Sequence, residues 1–127
     1  MRVLLVDDGE EFLDVASRFL AADSSIEIIG RAHSGREALA KVIELRPDLV
    51  LIDLAMPGMN GLETTRQIKV DPLAPKVIIL TLHDNREYRS VAESIGADGF
   101  VSKSELGTQL LPLLQKLSAG TCARTQD

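Results

Sequence analysis

Apolar positions along the chain follow two different periodicities. Five short runs of aliphatic and β-branched residues each precede a longer segment in which apolar residues recur every three or four positions. The runs are Arg2–Val6, Ile26–Ala32, Leu49–Asp53, Lys76–Thr81 and Gly99–Val101. Three of them are almost wholly apolar, as expected of central strands in a parallel sheet covered on both faces. The pattern therefore predicts five strand–helix units.

Helix start signals accompany this periodicity. Ser34 and Glu37 have the spacing of a capping box before an apolar helical face. Asn60 is expected to cap the third helix, and Asp84 or Asn85 the fourth. These caps divide the chain into the same units as the apolar runs do.

Pro112 interrupts the apolar stripe that predicts a last helix. The stripe consists of Leu110, Leu113, Leu114 and Leu117. A proline inside a helix removes a hydrogen bond and collides with the carbonyl four residues earlier, at a cost of about 3 kcal/mol. We therefore expect the helix to begin near Thr108, because the first amides of a helix have no partner within it.

Strand–helix units joined by right-handed crossovers form a doubly wound α/β sandwich of three layers. Ligands bind such sheets outside the carboxyl ends of the strands, where the winding direction reverses. In the flavodoxin-like order 2-1-3-4-5, which is taken from known folds of this class, the reversal lies between the first and third strands. The expected fold is a five-stranded parallel sheet with its site at that edge.

Three carboxylates fall at the expected reversal point. Asp7 and Asp8 end the first strand, and Asp53 ends the third. Two like charges about 4 Å apart repel by about 4 kcal/mol at an effective dielectric of about 20, so the fold needs a counter-charge. Carboxylates and water are ligands that suit Mg²⁺. Each acid taken alone also fits a turn or a helix cap, so the prediction of a metal site depends on the clustering.

The fourth and fifth strands bring a hydroxyl and an amine to the same edge. Thr81 ends the fourth strand, and Lys103 follows the fifth. An ammonium can pair with Asp53 and later with a phosphoryl oxygen, while a threonine hydroxyl can donate to another oxygen of that group. Phosphoryl transfer to a carboxylate needs mainly positioning and charge neutralisation. Taken singly, Thr81 also fits an ordinary strand and Lys103 a solvated surface.

Composition narrows the function further. The 127 residues, of which 45% are hydrophobic, suffice for one domain with one core. The net charge of -5 and the 3% aromatic content argue against nucleic-acid binding by this chain.

Cys122 is the only cysteine, which excludes an internal disulfide and fits a reducing compartment. No apolar run approaches the roughly 18 residues of a membrane span, so we expect a soluble, cytoplasmic protein. His33 and His83 have no ligand partner at a spacing that suits zinc.

Four segments of the chain together resemble the receiver domain of two-component response regulators. They are Val3–Asp8, Pro47–Gly61, Leu80–Thr81 and Gly96–Lys103. The resemblance covers nearly the whole chain. Residues 1–120 are accordingly expected to form the receiver domain, and residues 121–127 a flexible tail or the start of an interdomain linker.

The resemblance implies a role for each residue of the predicted site. Asp53 accepts a phosphoryl group from a sensor histidine kinase. Asp7 and Asp8 hold Mg²⁺ or Mn²⁺ together with Asp53, and the backbone carbonyl of Ala55 completes the metal site. Lys103 assists the transfer.

Thr81 and Phe100 form the switch that the resemblance implies. The threonine moves to the phosphoryl group and the aromatic ring turns inward, which changes the surface made by the fourth helix, the fifth strand and the fifth helix. In physical terms, phosphorylation shifts the population between two packings.

Three short segments are similar to the subfamily whose receiver precedes a helix-turn-helix DNA-binding domain. They are Thr81-Leu82-His83-Asp84, Lys103-Ser104 and Ser118-Ala119-Gly120. This similarity implies a regulator of transcription, not an enzyme, with a DNA-binding domain outside this chain and a homodimer formed on phosphorylation. Gly9, Glu10 and Pro112 depart from the subfamily's pattern, and Glu10 adds an acid close to the expected metal site.

Three other functions stay open. A flavin-binding protein of the same layering needs a phosphate-binding loop after the first strand, where Asp7 and Asp8 would repel a phosphate. An aspartate-based phosphohydrolase usually has a second acid two residues after its nucleophile, where this chain has Ala55. A docking module that keeps only the fold is disfavoured by the complete set of acids, threonine and lysine.

Overall fold

Strands and helices alternate along the computed structural model, which describes residues 1–82 and 86–117. The elements are β1 Arg2–Val6, α1 Glu10–Ala21, β2 Glu27–Ala32, α2 Gly35–Leu45, β3 Leu49–Asp53, α3 Gly61–Ile68, β4 Lys76–Thr81, α4 Arg86–Ser94 and β5 Gly99–Ser102. A last helical stretch, α5, covers residues 103–117. Within residues 1–82 and 86–117, no helix combines the length and the apolar character needed to cross a membrane.

The five strands form one parallel sheet in the order β2-β1-β3-β4-β5, which confirms the predicted fold. Neighbouring strands end in register at one edge of the sheet. Val6 pairs with Ile52, Asp53 with Leu80, and Thr81 with Ser102. The predicted site residues that end or follow these strands therefore share that edge, which we call the carboxyl edge.

Helices cover both faces of the sheet and create two hydrophobic layers. Alternate strand residues such as Leu5 and Leu51 pack with α1 and α5, while Leu4 and Ile52 pack with α2, α3 and α4. All five residues of β3 are buried, because this strand lies in the middle of the sheet. Each fully buried Leu or Ile contributes about 1.5–3 kcal/mol relative to an exposed one, so these two layers account for the sandwich.

Two of the predicted helix caps are in place. The Ser34 hydroxyl accepts a hydrogen bond from the Glu37 amide at 3.1 Å, and the Asn60 side chain accepts one from the Glu63 amide at 2.9 Å. The cap predicted at Asp84 or Asn85 lies outside the described residues. So does the predicted tail at residues 121–127, together with the predicted end of the domain at residue 120.

The start of the last helix differs from the prediction. Instead of beginning near Thr108, α5 opens with a 3-10 turn at Lys103–Glu105 and a π-helical turn at Leu106–Leu110, and becomes α-helical over residues 111–117. A π turn bonds a carbonyl to the amide five residues later and widens the backbone. Pro112 is the second residue after this wider turn, and its missing amide hydrogen and its ring are accommodated there without ending the helix.

An ion pair stabilises the opposite edge of the sheet, where the strands begin. Asp98, immediately before β5, accepts hydrogen bonds from Lys69 Nζ at 2.7 Å and from the Val77 amide at 2.9 Å. Lys69 follows α3 and also donates to the Pro75 carbonyl at 2.9 Å. The beginning of β5 is thereby tied to β4 and to the end of α3.

Candidate functional site

The carboxyl edge brings the three predicted carboxylates together. Asp7 and Asp53 are 3% and 6% exposed, whereas Asp8 is exposed. Each offers one oxygen, and these three oxygens all lie within 4.8 Å of one another. A compact group of hard oxygen donors of this kind fits a small divalent cation such as Mg²⁺.

Lys103 provides the counter-charge that the cluster needs. Its Nζ donates to Asp7 Oδ2 at 2.6 Å and lies 3.2 Å from Asp53 Oδ1. The lysine side chain is only 10% exposed, so water screens these interactions weakly. One ammonium therefore offsets two buried carboxylates.

Local backbone geometry holds Asp7 in place. Asp7 Oδ1 accepts a hydrogen bond from the Gly9 amide at 2.8 Å, and the Asp7 amide donates to the Ala32 carbonyl at 3.0 Å. Both oxygens of Asp7 thus already have a donor, because Oδ2 receives the hydrogen bond from Lys103. This carboxylate is fixed as a structural partner of the lysine.

Asp53 has a different environment. Burial raises the pKa of Asp53 above its ordinary value, and the neighbouring Asp7 charge raises it further. Lys103 opposes this shift in pKa, as does a hydrogen bond that Asp53 accepts from the Ala55 backbone. The charged form of Asp53 is therefore costly in the folded chain without a metal ion.

The loop after β3 is packed tightly against Asp53. A Cβ atom added to Gly61 would lie 2.2 Å from the Asp53 carbonyl oxygen, and the Gly61 amide donates to the Leu54 carbonyl at 2.9 Å. Gly58 has a φ of 76°, a conformation that glycine adopts without strain. Both glycines serve the turn, and they allow the first turn of α3 to reach the strand end.

A cleft of about 610 Å³ opens above the cluster. Besides the predicted site residues Asp7, Asp8, Asp53, Ala55, Thr81 and Lys103, its lining includes Leu54, Met56, Pro57, Asn60, Leu62, Leu82 and Tyr88. The lining therefore combines the acidic group with several apolar side chains. Met56, Leu82 and Tyr88 were not among the predicted site residues, although the place of Leu82 directly after Thr81 was a signal that it reaches the same edge.

The two predicted switch residues lie in different positions. Thr81 is buried and lines the cleft. Phe100 is also buried, but it packs in the layer covered by α2, α3 and α4, with the Arg89 guanidinium 5.0 Å from its ring centroid. Ser102, two residues after Phe100, pairs with Thr81 in the sheet, so β5 connects the two positions.

Glu10, the extra acid of the sequence, is hydrogen-bonded to a histidine beside α1. Its Oε1 lies 2.8 Å from His33 Nε2, and this hydrogen bond raises the pKa of His33 above its ordinary value. Glu37 lies on the other side of the ring, 3.6 Å from Nδ1. Among residues 1–82 and 86–117, the carboxylate oxygens close enough together to hold a cation are those of the three aspartates.

Known proteins share both the sequence pattern and the fold. A family model described as the response regulator receiver domain matches residues 3–115. The response regulator protein VraR of Staphylococcus aureus is 39% identical over 122 residues, which are 94% of this chain and 57% of that protein. The chain thus spans little more than half the length of this curated relative.

Solved structures agree with this family. A LuxR-family two-component response regulator from Aurantimonas sp. SI85-9A1 superposes with a TM-score of 0.87 at 31% identity, over 94% of this chain and 85% of that one. The signal receiver domain of the putative response regulator NarL from Mycobacterium tuberculosis gives 0.80 at 28% identity, over 97% and 95%. A parallel sheet in the order 2-1-3-4-5, an acidic carboxyl edge and a family match over most of the length lead to one conclusion: this chain belongs to the response regulator receiver domain family.

Proposed function

We propose that this chain is a phosphorylation-dependent signalling switch in which Asp53 accepts a phosphoryl group from a sensor histidine kinase. The observation that carries the proposal is the arrangement around Asp53. Its buried carboxylate ends the central strand, with the Lys103 ammonium at 3.2 Å and oxygens of Asp7 and Asp8 within 4.8 Å. That arrangement matches the charge demands of phosphoryl transfer to an acid.

Asp53 suits the role of acceptor better than its two neighbours. Asp7 already receives hydrogen bonds on both oxygens, from Gly9 and from Lys103. Asp8 is exposed, so water competes for its charge. Asp53 is buried yet lines the cleft, where a donor molecule can approach it.

The proposed transfer makes one bond and breaks one. An oxygen of Asp53 forms a bond to phosphorus while the bond from phosphorus to the donor's nitrogen or oxygen breaks, and the leaving group takes that electron pair. Lys103 pairs with the charge on the phosphoryl oxygens, and the Thr81 hydroxyl donates a hydrogen bond to one of them. When held by the three aspartates and the Ala55 carbonyl, Mg²⁺ or Mn²⁺ supplies further positive charge at this group.

We further propose that Thr81 and Phe100 carry the signal to the surface formed by α4, β5 and α5. Phosphorylation biases an equilibrium between two packings of these residues. Relatives named as LuxR-family regulators, one of them described as DNA-binding, favour an output on transcription through a domain outside this chain. Residues 1–120 would be the receiver domain and residues 121–127 the linker.

The remaining proposals concern the cellular setting. The chain would be a signalling protein and not an enzyme, because the group that it receives modifies the chain itself. Its kinase partner would draw on cytosolic ATP, so the proposed location is the cytoplasm. A homodimer formed on phosphorylation is also proposed.

The test uses a small acyl phosphate with Mg²⁺ in place of the kinase. The chain is expected to gain one acid-stable, hydroxylamine-labile phosphoryl group, measured by intact mass, and Asp53→Asn is expected to abolish the gain. Asp14→Asn is the matched control, because Asp14 is exposed on α1 and pairs with Arg31. Uptake by Asp53→Asn at the wild-type rate would refute the assignment, and no uptake by any variant would favour a docking module.

A further inference from the structure

We infer that Phe12 is a positioning residue for Lys103 and that the face of its ring holds the ammonium where that group meets the acidic cluster. This inference rests on the proposed function and adds a residue of α1 to the site. None of the roles described above uses Phe12.

The contact is direct. Lys103 Nζ lies 4.1 Å from the centroid of the Phe12 ring, well within the distance of about 6 Å at which a ring face attracts a cation. The same nitrogen lies 2.6 Å from Asp7 Oδ2 and 3.2 Å from Asp53 Oδ1. The ammonium therefore has carboxylates and an aromatic face as its neighbours, and its side chain is largely withdrawn from water.

A neutral ring has an advantage over a further carboxylate as a partner for this lysine. A third acid would consume charge that Lys103 needs when a phosphoryl group arrives. A ring attracts the cation through its quadrupole and leaves the net charge of the site unchanged. The attraction also increases as water is removed, which matches the burial of this side chain.

The position of Phe12 also restricts the motion of the lysine. Lys103 directly follows β5, and its four-carbon stem has several rotatable bonds. Phe12 is partly buried against the core on the α1 and α5 face, so its ring is held by packing. A fixed ring in contact with Nζ favours the conformers of Lys103 that point into the cluster.

Replacing the ring by an aliphatic side chain separates this role from plain packing. Phe12→Leu keeps an apolar side chain but removes the π face, whereas Phe12→Tyr keeps the ring. We expect Phe12→Leu to lower the rate of phosphorylation at saturating acetyl phosphate and Mg²⁺ by about threefold to tenfold, which lies within the range that cation–π contacts cover. Phe12→Tyr is expected to stay within about twofold of wild type on the same scale.

Phe19→Leu is the matched control. Phe19 lies on the same helix and packs partly buried against the same core, but further along α1. An equal loss of rate in Phe19→Leu would mean that the effect comes from packing, which would overturn the inference. If Phe12→Leu does not fold, as judged by its melting curve, Phe12→Met provides the same comparison with a flexible side chain of similar bulk.

The decisive measurement is a double-mutant cycle with Lys103→Met. If the ring acts through the ammonium, Phe12→Leu changes the binding of beryllium fluoride with Mg²⁺ in the wild-type background and leaves it unchanged in the Lys103→Met background. Equal effects of Phe12→Leu in both backgrounds would overturn the inference. So would binding of beryllium fluoride by Phe12→Leu that equals wild-type binding when Lys103 is present.

A readout that does not use phosphorylation keeps this inference separate from the proposed function. An amine-reactive reagent modifies Lys103 in proportion to its access, and peptide mass spectrometry reports the rate. Phe12→Leu is expected to raise that rate about threefold or more, in line with loss of one cation–π contact, while Phe19→Leu leaves it unchanged. The labelling rates can support or overturn the role of Phe12 even if wild-type protein takes up no phosphoryl group. The Asp53→Asn experiment, in contrast, tests the proposed function alone.

Discussion

Two aspartates at the ends of neighbouring strands have opposite effects on the stability of the folded chain. Asp7 gains donors on both oxygens, from the Gly9 amide and from Lys103. Asp53 is buried beside another negative charge, and its pKa rises because burial penalises the charged form. When no metal ion is bound, an aspartate therefore stabilises the folded chain at position 7 and destabilises it at position 53.

The first stability prediction follows from this contrast. In the presence of a chelator at neutral pH, Asp53→Asn should raise the melting temperature by about 2–5 °C, the shift that roughly 1 kcal/mol produces in a domain of this size. Asp7→Asn should lower it by a similar amount, because an amide is a weaker partner for Lys103. Differential scanning calorimetry measures both, and a fall for Asp53→Asn would mean that this acid is structurally paired.

The pH dependence of that difference has a definite sign. A carboxyl whose pKa is raised on folding contributes stability below its unfolded value, here about 3.8, and loses that contribution as the pH rises through the folded pKa. The advantage of Asp53→Asn over wild type should therefore be smallest near pH 4 and grow toward neutral pH. A constant difference across this range would contradict the raised pKa of Asp53.

The junction between β3 and α3 shows how closely two elements must approach to form the site. Gly61 begins α3, and a Cβ atom there would collide with the Asp53 carbonyl oxygen at 2.2 Å. The neighbouring Asn60 caps the same helix through the Glu63 amide. Helix start and strand end therefore form one unit, and a change in either displaces the other.

Gly61→Ala tests this coupling. Because backbone atoms are in the way, the substitution should destabilise the chain by about 1–3 kcal/mol and slow phosphorylation of Asp53 by moving the strand end. Gly107→Ala is the control, since a Cβ atom at Gly107 meets nothing within 4 Å. Urea unfolding measures the stability of both variants, and equal stability of Gly61→Ala and wild type would show that the loop adapts.

The sequence predicted the strands and helices better than it predicted their irregularities. Aliphatic runs such as Leu49–Asp53 predict strands because a buried parallel strand needs apolar residues on both faces. Pro112 signalled a conflict in the last helix, but the rule for proline does not say how the backbone resolves it. The π-helical turn at Leu106–Leu110 depends on how α5 packs against the sheet, and that information is not local.

At the scale of the whole molecule, the site is the meeting point of β1, β3, β4 and β5. Residues at the strand ends were predictable, since parallel strands end at one edge. Phe12 and Tyr88 were not, because their place in the cleft or beside it depends on how α1 and α4 pack against the sheet. The acids and the lysine were therefore identified from the sequence, whereas the aromatic and apolar surroundings required the fold.

Metal binding should change the stability of the whole chain. A ligand that binds only the folded state stabilises it by about 2.7 kcal/mol at a concentration one hundred times its dissociation constant. Mg²⁺ should therefore raise the melting temperature of wild type and have a much smaller effect on Asp53→Asn. Thermal melts with increasing MgCl₂, with KCl at matched ionic strength as the control, measure this difference. Equal shifts for both proteins would mean that the ion binds elsewhere.

The two ends of β5 are held in very different ways. At its beginning, Asp98 fastens the strand to Lys69 and to the Val77 amide. At its far end lies Lys103, whose charge partners would change when a phosphoryl group arrives. Phe100 lies between these two ends. We therefore expect a displacement of Lys103 on phosphorylation to be felt more strongly at Phe100 than at Asp98, because the partners of Asp98 lie outside the phosphorylation site.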